Sequence, residues 1–264
     1  MNQQVRKPTD PEIVRLTFRH TGVPASAVGL RIGLVSDLHC DSHSAVLYAN
    51  RAVEVLFEEC VDVAFLTGDF VTLRRDYWAP ECAMAISRLS SLPSGAYAVL
   101  GNHDWGDFWP HVKNADLVAS CLTSVGITVL RNQAQQIPAR AGVWIVGVDD
   151  VCFGKQDTTA AVKGVPDEAF KILLAHEPDY ADQVPPGFAI QFSGHTHGGQ
   201  MRIPGLRPPY LPKLGMKYFE GLNRATNHAV YTTRGVGRVG QRLWCPAELT
   251  IITLERDTSA SCLH

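Results

Sequence analysis

Six short apolar runs constrain the fold of this chain more than any other feature of its sequence. Each run is four to six residues long, and most of them end at a glycine or an acid. Apolar, β-branched runs of this length between turn residues are typical of strands buried on both faces. The runs cover residues 32–35, 63–66, 97–100, 143–148, 172–175 and 189–192.

Helical periodicity separates the early strands. Apolar residues recur at close to every 3.6 positions across residues 44–60, with Ser44 as the expected N-cap, and similar patterns cover 80–92 and 114–126. Two further strands are expected within 228–238 and 247–255. This strand–helix–strand order places the chain in the α/β class.

Residues 201–223 form a segment rich in proline, glycine and aromatic residues, which cannot be one regular element. We expect an ordered surface loop near a site, because long loops in compact domains tend to be lids or binding loops. An irregular segment without a ligand role is the alternative. No linker interrupts the chain, so we expect one domain over residues 1–264, with its core at about 28–254.

The composition argues against several classes of protein. The 264 residues carry a net charge of −2 and no basic stripe, which argues against a nucleic-acid substrate. The seven cysteines include no C-x-x-C pair and are expected to be reduced thiols rather than a zinc ribbon. With no apolar signal region and no run of about 18 apolar residues, we expect a cytoplasmic protein without a transmembrane segment.

Polar side chains that can bind metals follow five of the predicted strands. Ligands of open α/β sheets bind beyond the carboxyl ends of the strands, so these side chains are expected to converge on one edge. They are Asp37 and His39, Asp69, Asn102 with His103 and Asp104, His176, and His195 with His197. Taken singly, each could be a structural histidine or part of a turn, but five such strand ends together favour a site.

A pair of metal ions explains this set better than a single ion. Carboxylate, amide and imidazole groups without thiolates suit Mn²⁺, Fe or Zn²⁺ rather than Ca²⁺. Seven candidate ligands are too many for one ion, whereas two ions that share a carboxylate would use them. The stretch GHTHGGQ at 194–200 adds glycines that leave room for a phosphate beside its two histidines.

Five motifs in this order resemble the calcineurin-like metallophosphoesterase superfamily. They are SDLH, TGDF, GNHD, LLAHEP and GHTHGGQ, and the resemblance runs from about residue 28 to about residue 254. The stretches LRIGLVSDLH, GHTHGGQMRIP and YTTRGVG are most similar to the bacterial branch of YkuE/YaeI-type phosphodiesterases. The resemblance implies a four-layer α/β/β/α sandwich, in which two mixed β-sheets are flanked by helices.

The resemblance also implies which ion each candidate ligand would hold. The first divalent ion would be bound by Asp37, His39 and His197. The second would be bound by Asn102, His176 and His195, and Asp69 would bridge the two. Manganese is the favoured metal, with iron and zinc as alternatives.

The implied activity is hydrolysis of a small phosphoester, a phosphodiester first and a phosphomonoester second, by a hydroxide that bridges the metals. His103 would face the substrate, stabilise the phosphate and protonate the leaving oxygen, and Asp104 would orient His103. Two residues outside the ligand set are further candidates for substrate contact. Arg234 could bind a phosphate through its guanidinium, and Tyr218 of the proline-rich segment could stack on a base or an acyl chain.

Two alternative functions stay open. One is a UDP-2,3-diacylglucosamine-type pyrophosphohydrolase, which would meet its lipid substrate peripherally and would need an apolar groove beside the metals. The proline-rich segment could form such a groove. The other is a non-catalytic scaffold on the same fold, but scaffolds of this kind have an impaired site and here every motif position is filled.

Overall fold

The computed structural model describes residues 10–106, 111–237 and 240–258. Its strands are β1 Glu12–His20, β2 Arg31–Val35, β3 Val63–Thr67, β4 Ala96–Val99, β5 Thr128–Val129, β6 Gln133–Gln136, β7 Val143–Gly147, β8 Phe170–Leu174, β9 Phe188–Ser193, β10 Gly221–Arg224, β11 Ala229–Thr232 and β12 Glu248–Arg256. Its α-helices are α1 His43–Glu58, α2 Ala79–Ile86, α3 Asn102–Trp105, α4 Val112–Ser124 and α5 Thr158–Ala161.

The strands form two mixed sheets of six strands each. The first has the order β1-β12-β2-β3-β4-β5 and is parallel from β2 to β5, whereas β12 runs antiparallel to β2. The second has the order β10-β11-β9-β8-β7-β6 and is parallel from β11 to β7, with antiparallel strands at both edges. Each sheet therefore has a parallel centre, whose carboxyl ends supply the loops of the site.

The central core lies between the two sheets, where Phe65 of β3 packs against Phe192 of β9 with ring centroids 5.9 Å apart. The next residue of β3, Leu66, belongs to the cluster formed with α1, α2 and α4 on the opposite face of the first sheet. Side chains around Tyr180 cover the outer face of the second sheet. These layers are the expected arrangement of two mixed sheets flanked by helices.

The differences from the sequence prediction lie mainly at edges and ends. The N-cap of α1 is Ser42, whose Oγ accepts the Ala45 N–H at 3.3 Å, rather than Ser44. Helix α2 ends at Ile86 and continues only as a 3₁₀ turn over Ser87–Ser91. The four strands that the prediction missed, β1, β5, β6 and β10, are the four sheet edges. Edge strands are partly solvated and therefore lack the continuous apolar run that marks a central strand. Among the described residues, none of the helices has the length and apolarity needed to cross a bilayer.

Candidate metal centre

The candidate ligands lie on the loops that directly follow β2, β3, β8 and β9, and, after β4, at Asn102, the first residue of α3. These loops bond to each other: the Asp37 N–H donates to the Gly68 carbonyl at 2.9 Å, and the Gly194 N–H donates to the His176 carbonyl at 3.0 Å. A Cβ at position 194 would lie 2.3 Å from Asp37 Oδ2, so only glycine allows this close approach. Residues far apart in the sequence thereby meet at one edge of both sheets.

Five of the seven candidate ligands have a left-handed backbone conformation. Their φ angles lie between 46° and 72°, at Asp37, His39, Asp69, His195 and His197. A non-glycine residue in this region costs about 1 kcal/mol or more, and such strain persists where the surrounding structure holds it in place. The strained backbone turns these side chains toward one another, which is typical of a functional site.

Asp37, His39 and His197 form one compact group of ligand atoms, all within 4.8 Å of one another. The Nε2 atoms of His39 and His197 are 3.0 Å apart, and His197 Nε2 lies 3.5 Å from Asp37 Oδ1. The His195 N–H donates to the Asp37 carboxylate at 3.0 Å and fixes its position. Two imidazole nitrogens and a carboxylate oxygen that converge in this way can hold a divalent cation.

Asp69 stands between this group and a second one. Its Oδ2 lies 3.6 Å from His39 Nε2 and 3.2 Å from His176 Nε2. Its Oδ1 accepts the backbone N–H of His103 at 2.9 Å, which locks the carboxylate in place. One oxygen of Asp69 is therefore presented to both halves of the site.

The second group contains His176 and His195, and the resemblance adds Asn102, whose neighbour Gly101 lies so close to His176 that a Cβ there would be 2.8 Å from the imidazole. His176 Nδ1 hydrogen-bonds the Thr67 carbonyl at 2.5 Å, and His195 Nε2 hydrogen-bonds the Lys213 carbonyl of the proline-rich segment at 2.9 Å. Such bonds orient a metal-binding imidazole and leave its other nitrogen for the ion. The two ring centroids are 5.0 Å apart.

Asn102 Oδ1 is buried and has no hydrogen-bond partner among the described residues, and His176 Nε2 faces the Asp69 carboxylate at 3.2 Å. Buried polar atoms are rarely left unpaired, and an ion bound by Asn102 would satisfy its amide oxygen. The donor set, with carboxylates, imidazoles and an amide oxygen, also suits divalent ions such as Mn²⁺. The residues present therefore fit two ions.

Burial controls the protonation of the histidines. It lowers the pKa of His39 to about 3 and also lowers the pKa values of His195 and His197, which keeps these imidazoles neutral, as metal binding requires. Burial alone would lower the pKa of His176 as well, but the charge and hydrogen bond of Asp69, together with the charges of Asp37 and Glu177, raise that pKa well above its usual range.

His103 lies beside the candidate ligands. Its ring meets the His39 ring edge-on, with centroids 4.8 Å apart, and one of its nitrogens lies within 4.8 Å of ligand atoms of His39 and Asp69. The Leu73 N–H donates to His103 Nδ1 at 3.2 Å. Because Nδ1 accepts this bond, Nε2 carries the proton in the neutral ring.

Asp104 does not occupy the position expected from the sequence. It is fully buried, and its two carboxylate oxygens accept four backbone N–H groups, from Asp69, Phe70, Val71 and Gly101, at 2.8–3.2 Å. With these acceptor sites taken, Asp104 holds the loops after β3 and β4 together rather than orienting the His103 ring. The expected partnership between Asp104 and His103 is thus corrected.

The structure also corrects both expected substrate contacts. The Arg234 guanidinium pairs with Glu248 at 2.6 Å and with Glu12 at 2.9 Å, so its donors are directed at carboxylates. Tyr218 is buried, and its hydroxyl donates to Asp182 at 2.9 Å. Spacing along the chain revealed neither set of partners, because the partners come from other elements.

Sequence reasoning missed Arg242, which has no motif around it. Its Nη2 lies 3.2 Å from His197 Nδ1 and also donates to the Arg234 carbonyl at 2.7 Å. A cavity of about 580 Å³ opens beside His39 and Arg242, and Asp41, Ser42 and Tyr48 are among the residues that line it. This volume is within the usual range for small-molecule sites.

Comparison with known proteins agrees with this geometry. A family model described as calcineurin-like phosphoesterase matches residues 30–199. The chain is 29% identical to the uncharacterized metallophosphoesterase YkuE of Bacillus subtilis, over 92% of this chain and 85% of the relative. It is 30% identical to the phosphodiesterase YaeI of Escherichia coli, over 87% of this chain and 83% of the relative. UDP-2,3-diacylglucosamine pyrophosphatase LpxG of Chlamydia trachomatis is a more distant relative, 25% identical over 92% of this chain and 90% of the relative.

Proposed function

Because the chain belongs to the calcineurin-like phosphoesterase family and is a phosphoric ester hydrolase, we propose that it cleaves phosphodiester bonds with two divalent ions. The observation that carries the proposal is the position of Asp69. Its Oδ2 faces His39 on one side and His176 on the other, as a carboxylate shared by two ions would.

In this proposal each ion has three ligands of its own. Asp37, His39 and His197 hold the first, Asn102, His176 and His195 hold the second, and Asp69 is shared. We propose Mn²⁺ as the metal, since oxygen and imidazole donors without thiolates suit it. Both sheets contribute ligands, which supports a single domain over 1–264, although that range extends beyond the described residues.

When bound, the two ions supply positive charge for the phosphate oxygens and lower the pKa of a water molecule. His103 adds a proton donor. Because its Nδ1 is occupied by the Leu73 N–H, its Nε2–H is the group that can hydrogen-bond a phosphate oxygen or protonate the leaving oxygen. Asp104 acts indirectly, by holding the backbone of Asp69 and Gly101 in place.

The cavity beside His39 supports a diester rather than a monoester. A phosphodiester carries a second esterified group that must lie next to the metals, and a space of about 580 Å³ can receive such a group. Ser42, Tyr48 and Arg242 in its lining are suited to a polar group. The name of YaeI, a phosphodiesterase, agrees with this choice.

A pyrophosphohydrolase of lipid-linked nucleotides is a second candidate. The relative LpxG carries that activity in its name, and exposed apolar side chains lie beside the metal centre in this chain. The complete ligand set argues against a scaffold. We also propose a cytoplasmic location, because the six described cysteines are all unpaired.

A panel of substrates with the Mn²⁺-loaded protein tests the proposal. It compares bis-p-nitrophenyl phosphate, p-nitrophenyl phosphate, cyclic nucleotides and UDP-2,3-diacylglucosamine. We expect bis-p-nitrophenyl phosphate to have a higher kcat/KM than p-nitrophenyl phosphate. We also expect Asp69→Asn to abolish turnover. A preference for the monoester would contradict the diester assignment, and inactivity toward every substrate with two ions bound would contradict the catalytic role.

A further inference from the structure

Large apolar side chains are exposed in unusual number beside the metal centre. Of the fourteen that are exposed in the described part of the chain, eight lie between residues 201 and 244. Six of these, here called the apolar rim, are Met201, Ile203, Leu206, Tyr210, Leu243 and Trp244. Tyr210, Leu206 and Trp244 are 75%, 65% and 63% exposed. Single exposed apolar residues are ordinary, but a concentration of them marks an interaction surface.

The two segments of the apolar rim are tied to each other and to the ligand loop. Met201 and Leu243 form a β-bridge, and the Leu243 N–H donates to the Gln200 carbonyl at 3.0 Å. Two residues further on, the Cys245 thiol lies 3.2 Å from the His197 carbonyl. These contacts place the part of the apolar rim around Met201 and Leu243 beside the metal centre.

The segment that carries four of the six rim residues is rich in basic residues, although the whole chain has a net charge of −2 and the carboxylates of Asp179, Asp182 and Glu220 lie beside this segment. Residues 199–219 contain four Lys or Arg residues and no Asp or Glu. Two of the four pair with carboxylates from elsewhere. The other two, Arg207 and Lys213, are exposed and have no carboxylate partner within the ranges that the structure describes. A partner of negative charge is therefore complementary to this surface.

We propose that the apolar rim docks the protein on an anionic lipid bilayer, with the metal centre next to the membrane surface. Trp and Tyr side chains favour the headgroup region, where Leu and Ile side chains reach the acyl boundary. Lys and Arg side chains beside them bind anionic headgroups, so both kinds of side chain on this face act together. The proposal does not depend on the proposed function, because it concerns binding and not turnover.

Vesicle sedimentation tests the proposal with the full chain. The probes are vesicles of equal parts phosphatidylglycerol and phosphatidylcholine, and vesicles of phosphatidylcholine alone. We expect binding to the anionic vesicles, weakened at least about tenfold by Trp244→Ser and by Leu206→Ser. Met84→Ser is the matched control, because Met84 is 66% exposed but lies on α2. It should leave binding unchanged.

A charge variant gives an independent readout. Lys213→Glu should weaken binding to the anionic vesicles several-fold or more, whereas Lys163→Glu, an exposed lysine outside this face, should not. The urea midpoint of unfolding should be the same in these variants and wild type, which verifies that they are folded. Failure to bind anionic vesicles, or binding that the rim variants do not change, would overturn the proposal. A dimer that is detected by sedimentation equilibrium and is lost in Trp244→Ser would also overturn the proposal, because the apolar rim would then bind a second copy of the chain.

Discussion

Replacing Asp104 by asparagine distinguishes between two roles for this residue, holding the backbone of two loops together and orienting the His103 ring. In the structure, each carboxylate oxygen accepts two buried backbone N–H groups. An amide has one oxygen, so Asp104→Asn leaves two N–H groups without an acceptor and places an NH₂ group against them. The change should therefore act on stability first.

The size of the effect follows from these contacts. A hydrogen bond to a charged group contributes about 1.5–3 kcal/mol, so losing two would cost about 3–6 kcal/mol. Burial, together with the nearby charge of Asp69, raises the pKa of Asp104 to about 7, and removing that charge offsets part of the loss. We expect a net destabilisation of about 2–4 kcal/mol, which is large against a total of about 5–15 kcal/mol.

Urea unfolding of the metal-free chain measures this loss. The measurement is made at about pH 9, about two units above the pKa of Asp104, so that the carboxylate is ionised. The urea midpoint should fall by about 1–2 M. Asp157→Asn is the matched control, since Asp157 caps α5 through one bond to the Ala160 N–H and asparagine caps equally well. An unchanged midpoint for Asp104→Asn, with an altered pH profile of turnover instead, would refute the reasoning and restore the role of orienting His103.

Three further substitutions test other parts of the account. His103→Ala should lower kcat by about 10²–10⁴-fold while the metal content stays at the wild-type value. The control, His43→Ala, should change neither kcat nor metal content. Loss of metal in His103→Ala would instead show that His103 is a ligand. Gly194→Ala should reduce metal affinity in a calorimetric titration, because its Cβ would meet Asp37 Oδ2 at 2.3 Å. Gly22→Ala should not, because its Cβ would lie near the His20 and Phe170 side chains and not near a candidate ligand. His228 is buried, and burial lowers its pKa from 6.5 to about 4, so the native chain binds fewer protons than the unfolded chain between these values. The contribution of the neutral His228 side chain to the free energy of unfolding is fully present above about pH 6.5. It should decrease by up to about 3 kcal/mol as the pH falls to about 4. His228→Phe should flatten this part of the pH dependence of the free energy of unfolding; an unchanged slope would assign it to other groups.

Prediction from the sequence succeeded for the buried centre of both sheets, and the structure brings candidate ligands from several strand ends together at one edge. Central strands such as β3 and β9 are continuous apolar runs, and their ends carry the candidate ligands in order along the chain. The edges were missed because a half-exposed strand such as β6, with the sequence QAQQ, has no apolar run to detect.

The roles of side chains near the ligands were harder to predict, because they depend on partners distant in the sequence. Asp104 follows His103 directly, yet its acceptors serve backbone from another loop, around Phe70. Arg234 follows a motif-like stretch, but Glu248 and Glu12 take its guanidinium. Arg242 lies outside every motif and still reaches His197. Adjacency in sequence predicted adjacency of the backbone but not the direction of the side chains.

Metal stoichiometry tests the central claim, a pair of ions that share Asp69. Elemental analysis of the Mn²⁺-reconstituted chain should give two ions in the wild type, about one in His197→Ala and in His176→Ala, and none in Asp69→Asn. A single ion in the wild-type protein, or two ions retained by Asp69→Asn, would contradict the account.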